Sequence, residues 1–571
     1  MNKYLIQVSI GPVQEFISSA RKLRDLWFGS DLLSELSKTV ARSLKEQNAN
    51  LIFPYVAEET DLNANSSLIV SNKILAELTT DNSPDNVILK AKKDWQKHRE
   101  EIAKITFERI TDHKKGLSIK LNEELYKKQI SDSGEFFAAW VKLTDNYKES
   151  KTKLEKLLAG RKNLREFNAP EWDGTGIPKN SLDGIRETVI NKNQKEIRGL
   201  LKKNEKLDTL GCVKRFYPIV TRLEKHFDDL SSIALLPWLE GIIKSKDHKV
   251  HLETFISCFG NIEKINLLKP TPEYFYYETK RLKEYNALGA YKKLKSINGE
   301  PQKYACILVG DGDNMGKALD QIQTAEGHRI FTSHLGEFAK SVGKTIEDSK
   351  GSLIYAGGDD VMAYIPIHKV IDCVDKVRKK FEESMDEIFM DKKLNLSGDK
   401  PTFSAGIAIV HHTAPLSQAL NIARKAESIA KNSGKNSLAI IQNKRGGSEF
   451  IVCDNWEMPD KKGIIERFKQ ICNLYISTKL PATLGYQLRQ ILIDAGDNLS
   501  FKISIKNNTL IPLNAASASV KRIFNQKEHS DFLTTLLLHQ TSIRELSTEL
   551  IIARQIANAQ KMSEGEINRE I

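Results

Sequence analysis

The sequence predicts an α+β protein, and three observations carry that expectation. The chain opens on a β-branched apolar run, KYLIQVSI, closed by Gly11-Pro12 and followed by Val13, Phe16, Ile17, Ala20, Leu23 and Trp27 at helical spacing. Residues 304–442 alternate strand-like and helix-like segments in the β-α-β-β-α-β order of a ferredoxin-like split unit. Beyond about residue 455 the apolar residues recur almost wholly at helical spacing. A chain of 571 residues suggests three or four domains at roughly 100–200 residues each.

Taken in order, residues 1–165 begin with a strand feeding an amphipathic helix. LIFPYV (51–56) and SSLIVSN (66–72) supply short strands, and 73–165, rich in Lys, Glu, Leu and Ala, reads mainly as helix. Residues 166–300 start as a loop-rich connector, NAPEWDGTGIPKNSLDGIRE, and run into a helical segment from about 216. The clearest domain signal spans 301–445. There YACILVG (304–310) is a buried-type strand, DGDNMG a polar turn, and a helix-forming segment extends to about Ser349. SLIYAGGDDVMAYIPI (352–367) is two apolar runs joined by Gly357-Gly358-Asp359-Asp360, a hairpin. A helix over 368–390, the strand FSAGIAIV (403–410), a helix over 415–432 and the strand SLAIIQ (437–442) follow. Residues 446–571 read as a helical bundle, with apolar faces at Ile464, Phe468, Ile471, Cys472 and Tyr475, at Leu484, Leu488, Ile491 and Leu492, and at Leu533, Leu536, Leu537 and Leu546.

The 86 Lys+Arg against 74 Asp+Glu leave a net charge of +12, which favours an anionic partner without identifying one. No stretch approaches the ~18 uninterrupted apolar residues of a membrane span, and the N-terminus lacks the layout of a signal peptide. A cytoplasmic protein with no membrane partner is expected. The six cysteines contain no C-x-x-C pair and read as buried reduced thiols.

The residues that point to chemistry lie in 301–445. Asp311 and Asp313 follow the first strand of the split unit, and Asp359 and Asp360 occupy the tip of its central hairpin; in this topology those strands are neighbours. Four carboxylates converging on one small area repel unless a cation neutralises them, and an oxygen-only ligand set suits magnesium or manganese. Two such ions about 4 Å apart can activate a 3′-hydroxyl and stabilise a pyrophosphate leaving group. Gly310, Gly312, Gly316, Gly357 and Gly358 leave room for backbone to approach a triphosphate. Taken alone, Gly-Gly-Asp-Asp reads as a type I′ hairpin turn; its position between two apolar strands, after a strand ending in Asp-Gly-Asp, turns the balance to a metal site. Lys431 and Lys435, at a helix end and in the turn before the last strand, are placed to meet a β/γ-phosphate, against the plainer reading of a solvated helix end. His411 and His412 read as exposed loop histidines. His226-Phe-Asp-Asp229 and Asp247-His248 crowd His with Asp but lack the wider His/Asp set of a metal-dependent phosphohydrolase, so no nuclease site is expected.

Four segments resemble the large polymerase-cyclase subunit of type III CRISPR effector complexes in its III-B (Cmr) form. They are GPVQEFISSARKLRDLWFGSDLLSEL (11–36), DGDNMGKAL (311–319), YAGGDDVMAYIP (355–366) and FSAGIAIVHHTAPLSQALNIARKAESIAKNSGKNSLAI (403–440). The resemblance covers most of 1–445, while the helical tail agrees only in character. It implies two ferredoxin-like palm domains packed face to face, a first, non-catalytic one (1–165, with a helical insertion) and a catalytic one (301–445). Between them the family has a small zinc-bearing domain (166–300 here), and a helical bundle (446–571) closes the chain. It also implies that Asp311 and Asp359 are the main metal ligands, with Asp360 and Asp313 in support. Gly312, Asp313, Asn314, Gly357, Gly358, Lys431 and Lys435 would line the nucleotide, and the Gly11-Pro12 turn and Ser30 of the first palm would help seat an ATP or another acceptor between the palms. The implied activity is condensation of ATP into 3′–5′ oligoadenylates, usually cyclic, switched on when guide RNA pairs with a foreign transcript. Some relatives instead join AMP to another acceptor such as S-adenosylmethionine. The implied partners are guide RNA, target RNA, the subunit that binds the guide's handle, and the backbone and small subunits of the complex. Two other readings stay open: a catalytically silent subunit that caps the guide-RNA complex, and a diguanylate-cyclase-like enzyme using GTP, which shares the hairpin but not the N-terminal and connector matches.

The sequence departs from the family pattern twice. The family often begins with an HD nuclease domain, whereas this chain opens on the first palm, and no DNase activity is expected. The family's zinc ribbon places Cys-x-x-Cys before Gly-x-Arg-Glu and again before Val-Lys-Arg. Here the matching positions are Asn180 and Asp183, and Asp208 and Gly211. Cys212 alone cannot hold zinc, so no zinc is expected and the connector is expected to be held by ordinary packing.

Overall fold

In the computed structural model of the chain, residues 2–494 are described apart from 65, 67, 113–116, 165–175, 198–199, 224–228, 261–270, 447–448 and 459–461; the backbone of 503–506 and 509–512 and residues 522–523 and 543–565 are described beyond them. The first sheet is built around β1 (Asn2–Gly11), whose Leu5, Ile6, Val8 and Ile10 are all buried because both faces of the strand are covered. The amphipathic segment after it is two helices, α1 (Gln14–Ser18) and α2 (Leu23–Glu46). There follow β2 (Ala49–Phe53), β3 (Lys73–Thr80), α3 (Asp85–Thr111), α4 (Glu123–Ser131), β4 (Glu135–Lys142) and α5 (Tyr147–Asn163), and the antiparallel strand order is β2-β3-β1-β4.

Two expectations for this part are corrected. The described residues of SSLIVSN form no strand, the strand beginning only at Lys73, and the stretch read mainly as helix contributes both β3 and β4. KILAELTT and EFFAAWVK contain good helix formers, but β1 presents two open edges, and pairing along Asn2–Ser9 and Tyr4–Gly11 overrides local preference.

The connector leads to α6 (Thr209–Val220), α7 (Leu230–Ile243), α8 (Lys246–Ser257), α9 (Thr279–Glu284) and α10 (Leu288–Asn298). The four positions that match the family's zinc ligands are tied by hydrogen bonds. Asn180 Nδ2 donates to Asp183 Oδ1 at 3.2 Å, and Asp208 Oδ1 accepts from the Gly211 amide at 2.7 Å to cap α6. The two halves join where Ser181 N donates to Lys206 O at 2.8 Å and Lys206 N to Ser181 Oγ at 2.9 Å. Nearby, the buried Arg215 of α6 donates from Nε and an NH2 group to both carboxylate oxygens of Asp25 on α2, each at 2.6 Å, and also reaches Glu205.

The second sheet contains β5 (Tyr304–Asp313), then α11 (Met315–Leu319), α12 (Ala325–Asp348), β6 (Ser352–Gly357), β7 (Asp360–Ile365), α13 (Val370–Met390), β8 (Thr402–His411), α14 (Leu416–Asn432), β9 (Ser437–Asn443) and β10 (Glu449–Asn455). Its order is β10-β9-β8-β5-β7-β6, so β8-β5-β7-β6 repeats the β4-β1-β3-β2 order of the first sheet. β9 lies parallel to β8 through the α14 crossover, and β10 carries the sheet past residue 445, where the helical bundle was expected to begin. α12 and α13 cover one face with a core around Phe331, Phe381 and Phe403. On the other face Ala20, Leu23 and Leu26 from the first part pack against Ile307, Val309, Ile354 and Tyr364.

The last part holds α15 (Ile464–Ile476), α16 (Leu484–Asp494), a hairpin of β11 (Ile503–Lys506) and β12 (Thr509–Pro512), and α17 (Ile543–Glu564), which packs on α7, α15 and α16. The hairpin interrupts the segment read as wholly helical; Leu533, Leu536 and Leu537 lie outside the described residues, as does His226-Phe-Asp228. All six cysteines are free, but Cys258 and Cys453 are half-buried rather than buried. His412 is no exposed loop residue: it stacks on Tyr276 at 4.0 Å with Nδ1 3.0 Å from Ser231 Oγ. Among the described residues no helix is long and apolar enough to cross a membrane.

Candidate active site

β5 stays buried to Gly310, where the Phe403 ring of β8 occupies the space a Cβ would need; Asp311 and Gly312 are then half-buried and Asp313 is buried again. Asp311 and Asp313 fall there, opposite Ser404 and Thr402 of β8. On the other side of β5, β7 pairs as far as Gly310↔Val361, so Asp360 stands one residue beyond the ladder alongside Asp311. Gly357 pairs with Asp360, leaving Gly358-Asp359 as a two-residue turn. Only Gly358, at φ 70°, needs the left-handed region, which is the demand of a type II′ turn rather than type I′. A Cβ on Gly312 would stand 2.9 Å from Asp359 Cβ and Oδ2, so glycine is what lets the Asp359 carboxylate lie against β5.

The charges at this end are poorly balanced. Burial pushes Asp359 up to about 7, helped by the Asp311 charge and a hydrogen bond between the two carboxyl groups. Burial likewise pushes Asp360 up to about 7, with Asp311, Asp359 and Glu427 adding to it. The phenol of Tyr355, whose ring lies where a Cβ of Gly357 would be, is raised by burial and by the same three aspartates. The cation facing them is Lys431, at the C-terminal end of α14, whose Nζ contacts Asp311 Oδ2 and lies 3.0 Å from Glu427. Burial disfavours its charge, but the hydrogen bonds to Asp311 and Glu427 outweigh this and raise its pKa. Crowded carboxylate oxygens with one ammonium between them fit a hard divalent cation such as magnesium or manganese, and Asp311, Asp359 and Asp360 are the residues that would hold it.

Asp313 is placed differently from the metal ligand expected of it. It is 2% exposed, and its Oδ2 accepts from Ser404 Oγ at 2.8 Å, Thr402 Oγ1 at 2.9 Å and the Asn436 amide at 3.0 Å. Its Oδ1 is closed off from solvent without a donor. Lys435 Nζ donates to Asn314 Oδ1 at 2.8 Å, so that lysine stands on the β5 side of the site with Lys431. Ser30 is buried on α2 one turn beyond Leu26, the residue that packs against the second sheet. Among the described residues the metal-type group of three donors within 4.8 Å is His334, Glu337 and Glu387 on α12 and α13, whose glutamates are exposed.

Sequence reasoning missed Glu427 and Tyr355. Glu427 had a signal, its i,i+4 spacing to Lys431 on a helix. Tyr355 had none, because only the hairpin's fold brings its hydroxyl under Gly357.

Two family descriptions match the chain: "Cas10/Cmr2, second palm domain" over residues 304–439 and "CRISPR-associated protein Cmr2, N-terminal" over residues 5–117. The CRISPR system Cmr subunit Cmr2 of Pyrococcus furiosus is 27% identical over 559 aligned residues, covering 80% of this chain. The chain spans 63% of the length of that relative. Two cryo-EM structures of a type III-B Cmr-beta complex, in the apo state and bound to cognate target RNA, contain a chain that matches with TM-score 0.61 and 14% identity. In both, 87% of this chain is covered, against 76% and 77% of the matched chain, which shows a shared fold. The architecture is thus that of a palm protein. Residues 304–439 are similar to the second palm domain of Cas10/Cmr2 and residues 5–117 to the N-terminal part of Cmr2.

Proposed function

We propose that the protein is an RNA-activated nucleotidyltransferase of a type III-B CRISPR complex that condenses ATP into a signalling nucleotide. The product is a cyclic oligoadenylate, or AMP joined to another acceptor such as S-adenosylmethionine. The observation that carries this reading is the convergence of Asp311, Asp359 and Asp360 at the end of β5 with Lys431 as their partly compensating cation. Two divalent ions bound there supply Lewis acidity to activate an attacking 3′-hydroxyl and stabilise the departing pyrophosphate. Asp311, Asp359 and Asp360 would hold that centre; burial and crowding raise Asp359 and Asp360 to about 7, and a bound cation would favour their ionised forms. Lys431 can exchange its contact with Asp311 for a phosphate oxygen, and Lys435 adds a second positive charge. Gly358, with nothing within 4 Å of where its Cβ would stand, leaves open space at the hairpin tip for the nucleotide, while the space beside Gly357 is filled by the Tyr355 ring. Ser30, on the α2 face that meets the second sheet, is assigned to the acceptor side. The partners of this reading are guide RNA, target RNA, the handle-binding subunit, and the backbone and small subunits.

The test incubates the assembled complex, guide RNA and complementary target RNA with labelled ATP and magnesium, with and without S-adenosylmethionine, and identifies products by mass spectrometry. Adenylates from ATP alone support the oligoadenylate reading. An AMP adduct formed only with S-adenosylmethionine keeps the mechanism and changes the acceptor. No product in either case removes the proposal and favours a structural subunit, and turnover of GTP in place of ATP favours the diguanylate-cyclase-like reading.

A further inference from the structure

Two left-handed turns face each other beside the carboxylates. The first is Asn314, at φ 60°, directly after β5. The second is the run Gly434, Lys435 and Asn436, at φ 106°, 68° and 46°, between α14 and β9. Consecutive non-glycine residues in this region are costly and persist only where their surroundings hold them. The structure shows what holds them. Asn436 N donates to Asp313 Oδ2 at 3.0 Å, Lys435 Nζ to Asn314 Oδ1 at 2.8 Å, and Ser437 Oγ to the carbonyl oxygens of Ala430 and Lys435 at 2.8 and 2.9 Å. Asp313 is the one charged member of this network that is almost fully buried, and its Oδ2 also gathers the hydroxyls of Thr402 and Ser404 from β8. Oδ2, with three donors, has little capacity left for a cation, and Oδ1, which has no donor, is closed off from the solvent a hydrated ion would arrive through. The segment it holds carries Lys435 and begins three residues after Lys431.

We propose that Asp313 is a positioning residue, not a metal ligand: it pins the 434–436 turn to the end of β5 and so sets where Lys435, and with it Lys431, meets the triphosphate of a bound nucleotide. This rests on the nucleotidyltransferase reading and assigns Asp313 a task different from that of Asp311, Asp359 and Asp360. Without the carboxylate the Asn436 amide loses its acceptor and the left-handed run loses its main restraint. The lysines then reach the phosphates from a distribution of positions, and nucleotide affinity falls while the metal-binding carboxylates stay where they are.

The experiment uses the full chain and two probes, Mn2+ followed by EPR without nucleotide and adenylyl-imidodiphosphate followed by calorimetry. For Asp313→Ala the expected result is at least about tenfold weaker analogue binding, the equivalent of one lost phosphate contact, with Mn2+ affinity within about twofold of the unaltered chain. Asp359→Ala, by contrast, should lose Mn2+ binding. Asp313→Asn retains an acceptor oxygen for the Asn436 amide and should restore analogue affinity, whereas at a true ligand position it would weaken Mn2+. In a double-mutant cycle, Lys435→Ala and Asp313→Ala should be less than additive in analogue binding. Loss of Mn2+ affinity in Asp313→Ala or Asp313→Asn overturns the inference, and so does unchanged analogue affinity in Asp313→Ala. Should Asp313→Ala fail to fold by circular dichroism, Asp313→Asn decides by its Mn2+ affinity alone. If the unaltered chain binds neither probe, the nucleotidyltransferase reading fails with it, a result distinct from the failure of Asp313's role alone.

Discussion

The first sheet, β4-β1-β3-β2, and the second, β8-β5-β7-β6, place their strands in the same order, yet they treat acidic residues in opposite ways. In the first part the buried carboxylates belong to the framework. Asp25 and Glu205 are both paired with Arg215, which joins α2 to α6 with all three side chains out of solvent. In the second, Asp311, Asp359 and Asp360 gather at the end of β5 and the hairpin tip, where Lys431 contacts Asp311, and two of them are pushed up to about 7. The first strand of the first sheet ends in Gly11-Pro12, where β5 ends in Asp-Gly-Asp. Paired buried charge ties elements together, whereas carboxylates crowded at a strand end raise one another's pKa and attract positive charge.

The largest expected effect breaks the second member of this comparison. Asp359→Ala with Asp360→Ala should abolish nucleotide product in the assembled complex while leaving assembly intact, measured by labelled-ATP turnover and by size-exclusion chromatography. The first member is broken by Asp25→Ala, which removes the bidentate partner of the buried Arg215 and leaves it Glu205 alone among carboxylates. It should cost about 3–5 kcal/mol in denaturant unfolding without changing nucleotide binding to the intact fold.

The contact between the two halves offers a third test. His328 of α12 is 4% exposed and its ring packs at a tilt against Tyr147 of α5, centroids 5.5 Å apart, with neither ring nitrogen hydrogen-bonded to a side chain. Burial, aided by Lys151, lowers its pKa to about 4. Because the folded value lies below the unfolded one, its neutral form supports the fold fully above about pH 6.5, and that support is lost as pH falls toward 4. Thermal melting should therefore show acid destabilisation over that window, with an upper bound on the order of 3 kcal/mol, and His328→Phe should flatten it. A smaller effect separates scaffold from site within the second sheet. A side chain at Gly406 would run into the backbone of Glu427 and Ala426, so Gly406→Val should push α14 from β8. The expected cost is about 1–3 kcal/mol in chemical unfolding, with weaker nucleotide binding because α14 carries Lys431.

Much of the second sheet was legible because its signals are local. YACILVG, the apolar runs flanking Gly357-Gly358-Asp359-Asp360, and FSAGIAIV each announce a strand through composition and turn chemistry alone. β3 and β4 were not, since KILAELTT and EFFAAWVK become strands only when β1 offers them an edge. The same distinction runs through the site. The sequence by itself determined the carboxylates, the glycines that let them approach, and the lysines at the end of a helix, because residue type and short spacing carry that information. Only the tertiary structure decided that Asp313 turns to β8 and the 434–436 turn, that Lys431 rests between Asp311 and Glu427, and that Tyr355 lies under the hairpin. The contacts of Asp313 and of Lys431 with Asp311 depend on partners far along the chain, and the direction of the Tyr355 side chain follows from how the hairpin packs.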